Sequence, residues 1–408
     1  MKVLLVSSGQ PSLNPRLVKE ADALADAGYD VTVIYAYWNE WGTNFDRQLL
    51  ASKKWTALRV GGDPVYEKLR FFFSRIMFNL VKKINKVKLV DALSAYAVTR
   101  AGWHLIHAAK QQKADLYIGH NLGALGAVVQ AAKKNGKPSI FDAEDFHRHE
   151  ISNDSGDLDV ALKVLIEKKY LPQVTALTTS SPGIARAYQK LFPQLNPSVI
   201  LNVFPKSKGI QNMNIENDRP IKLFWFSQTI GSNRGIDDVI GALAQLDKSQ
   251  FELHLLGDQT SHSSAFIQRL KNNSGITLIF HQPVAPDKLI EFAANFDIGL
   301  ALEPGFSINN DLALSNKIFT YMQSGLAIIA SDTTAQKEFM SRVSQIGSIY
   351  KKGDIRELAR VLLEFYNNRS KLAACKKAAL AYAHDRYNWE TESCSFLELV
   401  KSTLITNS

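Results

Sequence analysis

Residues 315–332, SNKIFTYMQSGLAIIASD, decide how this chain is read. Ser315 stands where a helix N-cap would, and Ile318, Phe319 and Met322 recur at helical spacing. Gly325 marks the stop, and residues 326–330 are apolar enough for a parallel strand covered on both faces. A helix opened by Leu314, Ser315, Asn316 and Lys317 offers free backbone N–H groups, a positive dipole end and a cation. That combination suits an anion, phosphate best of all.

The rhythm around this stretch is that of alternating strands and helices. Short apolar runs at 2–6, 31–36, 116–118, 139–141, 176–179 and 198–201 predict strands. Helical patterns fall between several of them, for example at 16–27 and 122–134. The series restarts at 222–226 and continues at 252–256, 277–280, 298–302 and 326–330. Such alternation implies α/β architecture, with two doubly wound parallel sheets. Between the two series, residues 205–220 are polar, with a proline at each end and little periodicity. The expected division is therefore a first domain over 1–205, a linker over 206–219 and a second domain over 220–385. From residue 353 onward the chain reads as helix, in about three segments. The last of these, 386–408, is expected to return toward the first domain.

At 408 residues the chain exceeds the usual size of one core. Its 46% apolar and 21% charged residues are those of a globular protein, and no apolar run approaches the roughly 20 residues of a bilayer span. The opening MKVLLVSSG breaks too early for a secretory signal, and Cys375 and Cys394 form no C-x-x-C pair. These features suggest a reducing, cytoplasmic setting. The net charge of +9 is unevenly placed, with 26 Lys/Arg against 18 Asp/Glu in residues 1–205 and 22 against 21 in the rest. An anionic partner is thus expected for the first half. Nucleic acid is not expected, since no recognisable module for it accompanies the charge.

Ligands of open parallel sheets sit beyond the carboxyl ends of the strands. In this chain those positions are polar: Ser7–Gly9, His120 and Asn121, Asp142, Glu144 and Asp145, then Ser227–Arg234, Gly257 and Asp258, and Glu303–Gly305. Two facing sets imply a central cleft.

Five segments, in order, resemble the GT-B glycosyltransferases, in particular family 4 of the retaining nucleotide-sugar enzymes. They are MKVLLVSSGQPSLNPRLVKEADALADAGYDVTVI, ADLYIGHNLGALGAVVQAAKKNGKPSIFDAED, LTTSSPGIARAYQKLFPQLNPSVILNVFP, LFWFSQTIGSNRGIDDVIGAL with LHLLGD, and LEPGFSINNDLALSNKIFTYMQSGLAIIASD. The resemblance implies two Rossmann-like domains, the first for the acceptor and the second for a nucleotide-diphosphate sugar. Three departures stand out. Thr320 and Leu312 replace the two glutamates of the family signature, and Thr229 replaces the arginine of an Arg-x4-Lys pair whose second cation survives as Arg234. Glu144 stands where many relatives carry a histidine near the sugar.

By that resemblance Arg234, Lys317, Glu303, His120 and Asp142 are the expected catalytic set. Ser227, Gly231, Asn233, Asp258, Gly305, Leu314, Ser315, Asn316 and Thr320 would bind the donor. Gly9, Asn121, Glu144 and Asp145 would line the acceptor side. Arg234, Lys317 and N–H groups near Gly231 and Asn316 would stabilise the departing diphosphate, and Glu303 would contact sugar hydroxyls. No metal or other cofactor is expected; Asp157-x-Asp159 opens a helix, and His147 and His149 lack further ligands. The acceptor is expected to be lipid-linked or a saccharide, in surface polysaccharide assembly. Two other classes share the fold: a non-catalytic partner or nucleotide-sugar binder, which Leu312 and Thr320 would suit, and a nucleotide-sugar epimerase. A dinucleotide oxidoreductase is disfavoured, because no G-x-G-x-x-G follows an early strand.

Residues 70–90 mix aromatic and basic side chains. Phe73, Ile76, Met77, Leu80, Ile84 and Val87 form one helical stripe, expected to face the core. Phe71 and Phe78 fall elsewhere, near Arg75, Lys82 and Lys86, and are expected to be exposed. Phenylalanines among cations suit an anionic bilayer surface, so peripheral attachment to the inner face of a membrane is expected.

Overall fold

The computed structural model describes residues 1–87, 89–210, 219–259, 264–272 and 275–405. Contacts divide the chain into two units, Met1–Leu201 with the chain from Ser393 onward, and Asn202–Glu392. Of the expected linker, residues 211–218 lie outside the described residues. Its start is pinned within the second unit: the Ser207 N–H donates to Gln323 (2.8 Å) and the Lys206 N–H to Glu390 (3.2 Å).

The first unit opens with β1 (Lys2–Ser7), α1 (Pro15–Asp26), β2 (Asp30–Ala36), α2 (Glu40–Leu50) and β3 (Thr56–Val60). A helical excursion follows: α3 (Lys68–Val87), α4 (Ser94–Ala97) and α5 (Gly102–Gln111). Then come β4 (Leu116–His120), α6 (Leu122–Asn135), β5 (Ser139–Ala143), α7 (Leu158–Tyr170), β6 (Ala176–Thr179), α8 (Pro182–Leu191) and β7 (Ser198–Val199). All seven strands are parallel, in the order β3-β2-β1-β4-β5-β6-β7. Val3, Leu4, Leu5 and Val6 on β1 are wholly buried, as a strand covered by helices on both faces requires. The order reverses between β1 and β4, which places a ligand crevice beyond their carboxyl ends.

The second unit runs β8 (Ile221–Thr229), α9 (Ile236–Leu243), β9 (Phe251–Asp258), α10 (Ser264–Lys271), β10 (Thr277–His281), α11 (Leu289–Ala293) and β11 (Ile298–Ala301). It continues with α12 (Ile308–Leu312), α13 (Asn316–Gln323), β12 (Ala327–Ser331), α14 (Thr334–Arg342) and β13 (Gly347–Tyr350). Helices α15 (Ile355–Asn367), α16 (Arg369–Asp385) and α17 (Trp389–Ile405) complete the chain. The parallel order is β10-β9-β8-β11-β12-β13, with the reversal between β8 and β11. Its core gathers Leu223, Trp225, Leu253, Leu255, Leu300 and Ile329 from four strands against Val239, Leu358 and Phe365 from helices.

Three elements differ from the sequence reading. Edge strands β3 and β13 were not foreseen, because half-buried edges lack the continuous apolar run of a central strand. Helix α3 is turned the opposite way from the expected one. Its buried residues are Ser74, Val81 and Asn85, Phe71 and Phe78 are half-buried, and Phe73, Ile76, Met77, Leu80 and Ile84 are exposed. The polar pair has partners on the inner side: Ser74 Oγ donates to the Gly61 carbonyl (3.2 Å) and accepts from Arg100, and Asn85 Oδ1 accepts from the Val90 N–H (3.0 Å). Lys86 and Val87 fall outside the described side chains.

Candidate functional site

The chemistry-bearing residues of the second unit gather where its strand order reverses. Strand β11 leads into Glu303, whose side chain is 17% exposed and lies among three donors. Its Oε1 accepts from Lys317 Nζ (2.7 Å) and Ser315 Oγ (2.8 Å), and its Oε2 from Asn310 Nδ2 (3.2 Å). Burial alone would raise this carboxyl; the Lys317 ammonium and these hydrogen bonds outweigh it and hold the pKa down to about 2. Glu303 is therefore ionised at every physiological pH. Its carbonyl accepts from Ser331 Oγ (2.6 Å), which fastens the loop to the end of β12.

Lys317 reaches Glu303 from the first turn of α13. Ser315 occupies the N-cap position, but its hydroxyl turns to Glu303 and makes no capping bond. No side chain caps the dipole end that favours anions; the Ile318 N–H donates to the Ser315 carbonyl (3.1 Å), which leaves the Asn316 and Lys317 N–H groups for a ligand. Tyr321 holds the helix in place. Its ring lies against Gly299 on β11, where an added Cβ would come within 2.2 Å of it, and its hydroxyl donates to the Leu300 carbonyl (3.0 Å).

The loop after β8 approaches the same point. Gly235 has φ +73°, and an added Cβ would meet the Leu302 carbonyl at 2.5 Å. This close approach sets Gly235, which directly follows Arg234, beside the residue that precedes Glu303. Asn233 is also left-handed, at φ 58°. Arg234 is exposed and has no partner among the described residues, unlike Lys317. Gly231 lies in the same loop with open space around its Cα, and the Ile230 N–H donates to the Asp258 carbonyl (3.2 Å). Ser227 lies in the irregularity of β8 between Phe226 and Thr229, close to the next strand, since a Cβ on Gly257 would meet its carbonyl. The Gly305 N–H donates to Asn310 Oδ1 (2.7 Å), closing the loop around Glu303. Leu314 is a buried anchor and Asn316 is exposed at the helix start.

Thr320 departs from expectation. It is fully buried, and its hydroxyl turns to the Asn316 carbonyl (3.4 Å) on its own helix. The hydroxyl expected at the ribose is thus turned to its own helix.

In the first unit, His120 and Asp142 are 0% and 1% exposed. The sequence reading had them bordering acceptor and sugar; here both are closed off from solvent by an ionic ring. Arg16 grips Asp142 with Nε (2.7 Å) and Nη2 (2.8 Å), and Thr178 Oγ1 donates to the same carboxylate (2.7 Å). His120 lies between Asp142 (3.3 Å from Nδ1) and Glu20 (3.2 Å from Nε2), and Glu20 is 3.4 Å from Arg16. Burial would lower the imidazole pKa, but Glu20 and Asp142 outweigh it and push it up to about 9. Asp142 is held far below the usual carboxylate range, against its burial, by Arg16 and His120. The ring carries two cations and two anions. Glu20, His120 and Asp142 have the spacing of a metal-ligand group, yet the Arg16 guanidinium already lies against both carboxylates.

The open residues at that sheet edge are Gly9, Asn121, Glu144 and Asp145, all partly exposed. Asn121 has φ 65°, and its Oδ1 accepts from Ser7 Oγ (3.1 Å). Burial, with the charges of Asp145 and Asp142, pushes the Glu144 carboxyl up to about 7, against the pull of Arg16 and His120. Arg16, Glu20 and Asn310 went unremarked in the sequence. The first two had a legible signal, an i,i+4 ion pair beside the apolar stripe of α1.

Two parallel sheets, each reversed at its centre and each carrying its polar residues at the carboxyl edge, are the GT-B fold. Within it, residues 221–368 match the family model described as glycosyl transferases group 1. Three solved structures illustrate the likeness. Anabaena HepE in complex with UDP is 16% identical, with a TM-score of 0.68, covering 98% of this chain and 100% of that one. Sucrose-phosphate synthase from Thermosynechococcus elongatus is 14% identical, with a TM-score of 0.70 and complete coverage of both chains. The apo lipopolysaccharide outer core galactosyltransferase WaaB is 14% identical, with a TM-score of 0.64, covering 98% and 99%. No curated protein sequence matches the chain significantly.

Proposed function

We propose that the protein is a glycosyltransferase that moves a sugar, with retention of anomeric configuration, from a nucleotide-diphosphate donor to a lipid-linked or saccharide acceptor. The setting proposed is surface polysaccharide or glycoconjugate assembly at the inner face of a membrane. The observation that carries this reading is the pairing of Lys317 with Glu303 at the uncapped start of α13, beside the loop of Arg234. As the glycosidic bond breaks, the departing diphosphate gains negative charge. The α13 N–H groups, Lys317 and the unpaired Arg234 meet that charge with dipoles and cations already in place. Glu303, kept ionised, accepts hydrogen bonds from sugar hydroxyls and opposes charge building at the anomeric carbon. An oxygen of the leaving phosphate takes the proton of the attacking acceptor hydroxyl, so no protein nucleophile is needed. With these groups serving the leaving group, the reaction is proposed to proceed without a metal. The match of residues 221–368 and the UDP-bound HepE structure support a nucleotide-sugar donor.

The test is UDP release from a panel of UDP-sugars, with EDTA present throughout. Lys317→Met is expected to lower kcat/KM by about 100-fold, the loss of one charge-stabilising donor. It also strands the buried Glu303 carboxylate. The double variant Lys317→Met with Glu303→Gln is therefore expected to regain thermal stability without regaining activity. UDP binding with no turnover on any acceptor extract would favour the non-catalytic reading, and donor conversion without acceptor would favour an epimerase.

A further inference from the structure

Helix α3 is apolar where it meets solvent, and a hollow lies beneath it. Leu69, Phe72, Ile76 and Leu80 are 52% to 88% exposed along one face. Lys68, Arg75, Lys82 and Lys83 stand exposed among them, and Glu67 is the lone acid of residues 64–90. Behind the helix, against α4 and α5, is a cavity of about 320 Å³ lined chiefly by Phe73, Met77, Phe78, Val81, Leu93 and Tyr96. A dry apolar cavity of about 150 Å³ already admits benzene, so this one has room for a length of hydrocarbon chain. Exposed Phe73, Met77 and Trp103 form its mouth.

The hollow has one polar end, made by Arg100, Ser74 and His104. Arg100 Nη1 donates to the Gly61 carbonyl (2.7 Å) and to Ser74 Oγ, and Nη2 to the carbonyls of Tyr37 and Gly62 (3.3 Å each). Among the described residues no carboxylate forms an ion pair with it; the acid that acts on this end is Glu67, through His104. His104 Nδ1 is buried and has no hydrogen-bond partner among the described residues. Tyr37 directly follows β2, and Gly61 and Gly62 directly follow β3. The polar end therefore lies at the carboxyl edge of the first sheet, the edge that also carries Gly9 and Asn121.

We propose that this hollow takes the hydrocarbon chain of an anionic lipid, drawn from the bilayer on which α3 rests. The lipid's phosphate would face Arg100 and His104, and its outer end the carboxyl edge of the sheet. Resting on the transferase reading above, this makes the acceptor a phospholipid-type amphiphile. Charge decides the occupant: the cations on α3 and a guanidinium bound only to neutral acceptors among the described residues both call for an anion, and the lining calls for a chain.

The probe is dodecyl phosphate below its micelle concentration, titrated calorimetrically into the full chain. One site is expected, weakened at least tenfold by Leu93→Trp, which fills the hollow, and independently by Val81→Phe. Dodecyl maltoside is expected to bind at least tenfold more weakly than dodecyl phosphate. Sedimentation with phosphatidylglycerol vesicles and UDP binding should survive in both variants. Absence of binding, unchanged binding in both folded variants, or equal affinity for the maltoside would overturn the proposal. So would a dimer that the probe dissociates, which would assign the hollow to a second copy of the chain. Loss of the transferase reading would appear separately, as absent turnover with dodecyl phosphate still bound.

Discussion

His120 shows how much of a residue's setting its type leaves open. A histidine at the carboxyl end of a central strand suggests contact with substrate, yet here it is a buried cation in a charge-balanced ring. Its folded pKa of about 9 lies above the ordinary 6.5, so protonation is linked to folding. The stabilisation is complete below pH 6.5 and is lost as the pH rises through 9. A shift of that size corresponds to about 3 kcal/mol. Urea denaturation from pH 6 to 9.5 is expected to show the wild type losing stability on that order, and His120→Gln to start lower and vary much less. An identical slope in the two proteins would show that the ring does not hold the proton. Glu303 works with the opposite sign: its depressed pKa contributes stability above the ordinary carboxylate range that is lost only as the pH falls toward 2. The residue type was legible in both cases. The burial of His120 was not, because Arg16 and Glu20 close the ring from α1, a hundred positions or more away in the chain.

At the scale of elements, α13 and α3 teach opposite lessons. The 315–332 stretch was read correctly as helix, stop and strand, since its stop residue and apolar run leave few alternatives. Its placement depends on Gly299, whose missing Cβ makes room for Tyr321. Gly299→Ala is expected to cost about 1–3 kcal/mol from overpacking and to weaken UDP binding by tilting the helix start. Full UDP affinity in a destabilised variant would show that α13 is not positioned through this contact. Helix α3 was read as a helix but inside out. Amphipathic periodicity gives a stripe without saying which side meets the protein, and here small polar residues with partners on the inner side took it. Leu69→Ser, Ile76→Ser and Leu80→Ser together are expected to abolish sedimentation with anionic vesicles and leave the melting temperature within a few degrees. Phe71→Ser should instead destabilise, because its ring packs on the Arg100 guanidinium (4.5 Å) and against Tyr37 (5.8 Å).

For the whole molecule, the alternation of strands and helices made the two-sheet plan legible, along with the two strand edges that carry chemistry. The same sequence left the edge strands and the buried rings obscure, since both depend on long-range partners. Charge was legible too, because it needs no fold to be counted. The first 205 residues hold an excess of 8 positive charges, and the second half an excess of 1. If that asymmetry serves attachment to an anionic surface, salt should separate the activities of the two units. Exposed cations are screened over about 8 Å at physiological ionic strength and about 3 Å at 1 M. Lys317, by contrast, is 15% exposed and works beside a helix terminus at short range. Raising sodium chloride from 0.05 to 0.5 M is expected to reduce vesicle sedimentation at least tenfold and to weaken UDP binding only a few-fold. If sedimentation instead persisted at high salt, the apolar face of α3 alone would account for attachment, and the basic first half would need another anionic partner.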